Sequence, residues 1–387
     1  MKNTLSVTFT GDIGFSRYFK DSWQKKDLLD EKIIAFCQDS DHVVANVEGS
    51  VIDPEKTEIK SDKTMFLHYT HAGACEHLKA IGADVWCLSN NHAMDIGDVG
   101  IQSSIRHAEL CDAVPLGGGK DLEEASAPVI LGEDMVGLIA VGYFPGCVAP
   151  VDGHYGVMNE QYTELLAERI KEVKKSCKYC VLVCHDGEEF TSLPQEYIRK
   201  HYMDYLEMGA DVIVGHHPHV PMNYEKFGDK IIFYSLGNFI FDTDYQRVQM
   251  NTEVGVLLKL IFGEDGIDFD ALGTFNNRAE NRLEAGDLPA IFTEVNAEEY
   301  ELLLPLASAA FIESEKKRKR YVKPEQFASY TDEQFKEYLL GDDRTEYRKD
   351  ERMDFAYMYR AAEKLSDETW KKSKLEGVKE YILKQLP

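Results

Sequence analysis

The chain has 387 residues, of which 44% are hydrophobic and 29% charged, with a formal net charge of −25. This is the composition of a globular protein with room for one large core and an appendage. An acidic field of that size repels nucleic acid and anionic membrane, and it admits an anionic small molecule or polymer only at a locally positive site, such as a bound dication provides.

No run approaches the roughly 20 apolar residues that span a bilayer. Residues 1–10 are too short and polar a start for a signal peptide. The expected location is therefore the cytoplasm, with the cell envelope as the alternative if a native leader has been removed.

In chain order, short apolar runs repeatedly end in polar or ionisable residues. Residues 5–10 lead into Gly11 and Asp12, and residues 43–45 into Asn46, Val47 and Glu48. Lys63 follows in a polar stretch and is a candidate contact for an anionic substrate. Apolar spacing of three and four predicts a helix over 76–81, which Gly82 stops. Residues 85–88 then lead into Ser89, Asn90, Asn91 and His92. Asp95 stands three residues further on, either as a hydrogen-bond partner of His92 or as the cap of a helix that starts near Ile96; the cap is preferred.

Gly117, Gly118, Gly119 and Lys120 lack phosphate-loop spacing and read as a flexible loop after a short strand. Helical spacing returns over 162–173. Cys177 and Cys180 form a C-x-x-C with no second copy among the eight cysteines, so they read as core thiols.

The run 181–184 leads into His185, Asp186, Gly187 and Glu188. Glu188 can orient His185, act as an acid or base, or simply charge a helix start. A helix over 197–208 is stopped by Gly209. Residues 212–214 lead into Gly215, His216, His217, Pro218 and His219. Proline disfavours the α region for His217, so the segment is expected to be extended. Residues two apart then share a side, which sends His217 and His219 to one site and His216 away from it. Two converging imidazoles are typical metal ligands. Residues 231–234 lead into Ser235 and Asn238, which are candidates for substrate or supporting contacts.

Runs of this kind suit buried strands, and their alternation with helices predicts an α/β fold with a largely parallel sheet. Ligands of such sheets bind beyond the carboxyl ends of the strands, where these polar clusters fall. Residues 254–262 and 267–275 read as a β-hairpin. From about residue 288 the chain is expected to be helical, giving a body over 1–275 and an appendage over 276–387. Lys316, Lys317, Arg318, Lys319 and Arg320 form a basic island, read as a solvated helix face.

The ordered set Gly11-Asp12, Asn46-Val47-Glu48, Ser89 to Gly97, His185 to Glu188, Gly215 to Val220 and Ser235 to Phe239 resembles the CapA family of bacterial capsule (poly-γ-glutamate) synthesis proteins. That family looks like a branch of the calcineurin-like metallophosphoesterases, which implies a four-layer α/β/β/α sandwich around two divalent ions, Mn, Zn or Fe. The resemblance implies that Asp12, Glu48, Asn91, His185, His217 and His219 are metal ligands and that His92 is the proton donor. It implies a metal-dependent hydrolase acting on a phosphoester or a γ-glutamyl amide in capsule polyglutamate metabolism. The wider superfamily has D-x-H where Asp12 is followed by Ile13 and Gly14, and Asp where this chain has Glu48. A second expectation is therefore a non-catalytic, metal-containing component that binds an anionic polymer in capsule synthesis or export.

Overall fold

A computed structural model describes residues 4–59, 67–341 and 355–387. Two sheets lie face to face. The eight-stranded sheet runs in the order Arg282–Gly286, Ile267–Asn277, Val254–Phe262, Leu5–Ile13, His42–Val47, Val85–Cys87 and Val114–Leu116, with Asn238–Ile240 also paired to Leu5–Ile13. The six-stranded sheet runs Tyr224–Phe227, Lys230–Phe233, Val212–His216, Tyr179–His185, Val136–Gly142 and Val129–Leu131. Pairing is parallel through the middle of both sheets and antiparallel at their outer strands, except that Val114–Leu116 closes its edge in parallel.

The layers follow from the two-residue period of a strand. Val7, Phe9 and Val44 point to the space between the sheets, where they meet Val181, Val183, Val212 and Phe233. Val43, Ala45 and Val47 point the other way, onto Ile33, Leu78 and Ile101 of the helices Glu31–Gln38, Cys75–Ala80 and Asp98–Leu110. On the far side, Leu182 and Ile213 meet Leu166 and Ile170 of Thr163–Ser176 and Tyr202 of Glu196–Met208. The result is the expected four-layer α/β/β/α sandwich. Truncating a central side chain such as Phe9 costs about 3–5 kcal/mol, because it opens a void between two sheets that cannot collapse onto it.

Several local expectations need correction. The first strand does not stop before Asp12; it runs on to Ile13 and carries Asp12 inside it, at a register irregularity. Gly11 permits this, since a Cβ there would lie 2.2 Å from the carbonyl oxygen of Gly237. The Gly117 to Lys120 segment is not a free loop. Gly118–Gly119 pairs with Gly156–Val157, and Lys120 is bonded to Glu124. Cys177 and Cys180, by contrast, are the free buried thiols expected, and burial pushes Cys180 up to about 12. The hairpin gains a third strand, Arg282–Gly286.

Beyond it, the tail helix Ala297–Val322 is capped by Asn296, whose side chain accepts from the Glu299 amide. Tyr300, Leu303, Leu304 and Ala307 pack on Leu193, Ile291 and the closing helix Glu376–Leu383. The basic island on the tail helix is not a solvated face. Lys316 is buried and paired with Glu313 and Asp332, and Arg318 faces Glu189 and Glu315. No helix among the described residues is long and apolar enough to cross a membrane.

Candidate metal centre

The carboxyl ends of the parallel strands of both sheets converge on one buried cluster. Asp12 is wholly buried; its Oδ1 accepts from Asn46 Nδ2 at 2.8 Å, and its Oδ2 lies 3.0 Å from His219 Nδ1. Burial alone raises this carboxyl, but the contacts from His216 and His219 outweigh it and hold the group well below the usual carboxylate range. Glu48 follows His42–Val47 and is fixed by its amide, which donates to the Ile13 carbonyl at 2.8 Å. Its carboxylate is also wholly buried, yet among the described residues neither oxygen accepts a hydrogen bond. The nearest nitrogens are His219 Nε2 at 3.7 Å and His92 Nε2 at 3.9 Å. Burial pushes Glu48 well above the ordinary value; His219 opposes this, and Asp12 and Glu189 reinforce it.

His185 ends the strand Tyr179–His185, and its Nε2 lies 2.9 Å from Asn91 Oδ1. Its Nδ1 and that of His217 are buried with no hydrogen-bond partner among the described residues. Burial pulls His185 well below the usual histidine range and brings His217 down to about 4, so both are neutral, the form that ligates metal. His219 differs. Burial lowers it, but Glu48 and Asp12 raise it more, to about 10. Its proton stands where a cation shared with those carboxylates would replace it, since metal binding releases ligand protons. Oxygens of Asp12 and Glu48 and a His185 nitrogen all lie within 4.8 Å of one another. Bare buried carboxylate oxygens and neutral imidazoles are a donor set for a divalent cation.

The histidine run reaches the site by a different route from the one its sequence suggested. His217 has φ 98° and His219 φ 58°, so the segment is not extended. Proline excluded the right-handed region, and the chain took the sparsely populated positive-φ region on both sides of it, held by the Phe190 amide donating to the Pro218 carbonyl at 2.8 Å. His216, expected to point away, lies with Nδ1 3.3 Å from Asp12 Oδ1. It is the last residue of Val212–His216, and its strand register carries it toward the first sheet.

Around the cluster, His92 Nδ1 lies 2.8 Å from Asp95 Oδ2, which also accepts from the His68 amide at 2.9 Å. Asp95 therefore orients His92 and is not a cap; the following helix begins at Asp98 behind Gly97. With Nδ1 so held, His92 presents Nε2 toward Glu48. Asn238 Oδ1 lies 3.0 Å from His219 Nδ1 and its amide nitrogen donates to Gln246 and Thr252, so it supports a ligand candidate. Ser235 Oγ accepts from the Gly237 amide at 3.1 Å and shapes the turn between the two sheets. Glu188 does not start a helix; its carboxylate accepts from the Tyr197 hydroxyl. Lys63 lies outside the described residues.

Sequence reasoning missed Glu189, whose carboxylate accepts from the Tyr245 hydroxyl at 3.1 Å and faces the cluster. Nothing in the sequence distinguishes it from its neighbour Glu188. Asn90 was also missed as a brace: its side chain ties the His92 and Gly49 amides to the Val47 carbonyl. A cavity of about 630 Å³ opens over the cluster, lined among others by Asn91, His92, His219, Glu189, Arg17 and Arg318.

Comparison with known proteins agrees with this reading of the motifs. Residues 6–243 match the family model described as bacterial capsule synthesis protein PGA_cap. The chain is 30% identical over 257 residues to the capsule biosynthesis protein CapA of Bacillus anthracis, covering 63% of this chain and 62% of that one. It is 30% identical over 273 residues to the PGA biosynthesis protein CapA of Bacillus subtilis, covering 66% and 68%. The match thus spans less than two thirds of the first relative's length. Among solved structures, it is similar to a hypothetical protein from Thermus thermophilus at 14% identity and a TM-score of 0.40, covering 70% of this chain and 99% of that one. It is also similar to a 5'-nucleotidase from Candida albicans at 9% identity and a TM-score of 0.37, covering 70% and 52%. With most of the sandwich inside the family match, the chain belongs to the bacterial capsule synthesis protein PGA_cap family.

Proposed function

We propose that this chain is a metal-dependent hydrolase that cleaves a phosphoester or a γ-glutamyl amide in capsule polyglutamate metabolism. The carrying observation is the pair of bare, wholly buried Glu48 oxygens facing His92 and His219 beside Asp12. An unpaired buried carboxylate costs several kcal/mol, and a cation removes that cost. Asp12, Glu48, Asn91, His185, His217 and His219 would hold two divalent ions, Mn, Zn or Fe. Such ions, when bound, lower the pKa of water and clamp the attacking and departing oxygens.

The chain's own residues supply the rest. His92, held through Nδ1 by Asp95, offers Nε2 to the leaving group as proton donor. Asn238 and Asp12 fix the ring of His219. The D-x-H pattern lacks its histidine here, but His216 stands beside Asp12, with Nδ1 3.3 Å from Oδ1. That observation favours the hydrolase over a purely polymer-binding component.

The test is metal analysis of protein purified without chelator, followed by phosphoester and γ-glutamyl amide substrates with and without added Mn²⁺ or Zn²⁺. Metal near stoichiometric amounts with metal-dependent turnover is expected. Metal-free protein that no cation activates refutes the reading. Tight polyglutamate binding without turnover by both wild type and His217→Ala supports the polymer-binding component instead.

A further inference from the structure

The family match ends at residue 243, yet the wall of the cavity does not. The tail helix Ala297–Val322 reaches the cavity with its last turns and contributes Arg318 and Tyr321 to the lining. Its register is pinned close by. Ser314, one turn before Arg318, is buried and exchanges two hydrogen bonds with Gln249, each 3.2 Å. Tyr321 packs on Tyr245 at 5.8 Å, beside Phe190 and Val220, the residues next to the histidine run.

Arg318 is thereby held in one place. Nη1 donates to Glu315 Oε1 at 3.2 Å and lies 3.9 Å from Glu189 Oε2, and the guanidinium carbon sits 5.9 Å from the Tyr245 ring centre. Both acidic contacts use Nη1. Among the described residues no hydrogen bond engages Nε or Nη2, and the side chain keeps 35% of its surface open. Arginine carries five donors in a rigid plane that matches the oxygens of a carboxylate or phosphate. A fixed guanidinium with free donors, across one cavity from a cluster that would hold cations, is built for a ligand charged at two places.

We propose that Arg318 binds a second anionic group, carboxylate or phosphate, that the substrate carries away from the bond being cleaved. This rests on the hydrolase reading of the centre and adds to it the class of substrate: one with two separate anionic groups, both within the cavity. The residue comes from outside the matched segment, so the specificity belongs to the tail and the chemistry to the sandwich.

Binding tests this without turnover. Metal-loaded wild type, Arg318→Gln and Arg318→Lys are titrated with alkylphosphonates of two to five methylenes, and with the same compounds ending in a carboxylate or in a second phosphonate. One length of ligand with two anionic ends is expected to bind wild type about tenfold more tightly than the alkylphosphonate with one, the size of one charge-assisted hydrogen bond. Arg318→Gln is expected to abolish that ratio while leaving alkylphosphonate affinity and metal content unchanged, with Arg318→Lys in between. The carboxylate and phosphonate arms identify which anion is preferred.

A ratio near one at every length in wild type, or a ratio that survives Arg318→Gln, overturns the proposal and leaves the hydrolase standing. A ratio that depends on Arg318 in a protein that turns over no substrate keeps the subsite and removes the hydrolase. If no phosphonate binds wild type at all, the proposal is overturned.

Discussion

Asn91 Oδ1 lies 2.9 Å from His185 Nε2, joining the loop after Val85–Cys87 in one sheet to the end of Tyr179–His185 in the other. The contact spans the two halves of the sandwich at the point where the buried carboxylates sit. Two atoms that both suit a cation and stand this close compete for one proton or share one ion. His185→Ala is expected to bring bound metal below about half the wild-type amount, and Asn91→Ala to lower it less, because an amide is a neutral and weaker donor. Elemental analysis of folded protein at equal concentration checks this. Full metal content in both variants would rule out ligand roles for the pair.

His92 depends on Asp95 for its orientation, through the 2.8 Å contact at Nδ1. Replacing Asp95 with Asn keeps the shape and removes the charge that favours this ring orientation. We expect kcat to fall about 10–100-fold with KM and metal content nearly unchanged. A loss confined to KM would assign the pair to substrate binding rather than to proton transfer.

Gly11 is the point of closest approach beneath the site. An added methyl meets the Gly237 carbonyl oxygen at 2.2 Å, backbone against backbone, so neither side can yield by changing a rotamer. Gly11→Ala is expected to destabilise by about 3 kcal/mol. Gly82→Ala is the comparison: its φ is 74° but no atom lies within 4 Å, so only the conformational cost of about 1 kcal/mol applies. Urea midpoints of the two variants separate steric from conformational cost. Equal losses would contradict the proposed crowding at Gly11.

Acid stability should report on Glu189. Burial raises its carboxyl, but Arg318, then His217, His219 and the Tyr245 hydroxyl, outweigh burial and hold it at about 2. A carboxyl lowered on folding stabilises above its unfolded value of about 4.3. That contribution is lost as pH falls from there towards 2. Arg318→Gln removes the largest lowering influence, so the variant should be less stable than wild type at pH 7 and should lose less further stability as pH falls from about 4.3. Thermal melts at pH 7, 5, 4 and 3 measure this; parallel curves for the two proteins would show that the ion pair contributes nothing.

Much of the sandwich was legible because each central strand is a short apolar run that ends in a ligand-type residue. That rule located Asp12, Glu48, Asn91, His92, His185, His217 and His219, and the structure brings all of them to one cluster. The local conformations were less legible. Whether His217 is extended or turned depends on the Phe190 amide meeting the Pro218 carbonyl, a contact invisible to the dipeptide rule for proline. Asp95 has the same sequence neighbours as a helix cap, and only the position of the His68 amide decides otherwise. Arg318 was hidden by distance along the chain. A basic run within a charged helix looks solvated until the fold sets Glu189 in front of it.

The tail helix meets the cavity through side chains rather than through a shared ladder of strand hydrogen bonds. Residues in its final turn can therefore be exchanged without moving any strand past its neighbour. The floor of the site tolerates little such editing, because Gly11 and the positive-φ histidines are fixed by the backbone itself. One molecule thus joins a floor resistant to redesign to a wall open to it. If the centre is the hydrolase proposed, rewriting a single helical turn would suffice to admit a new substrate, with the buried cluster left untouched.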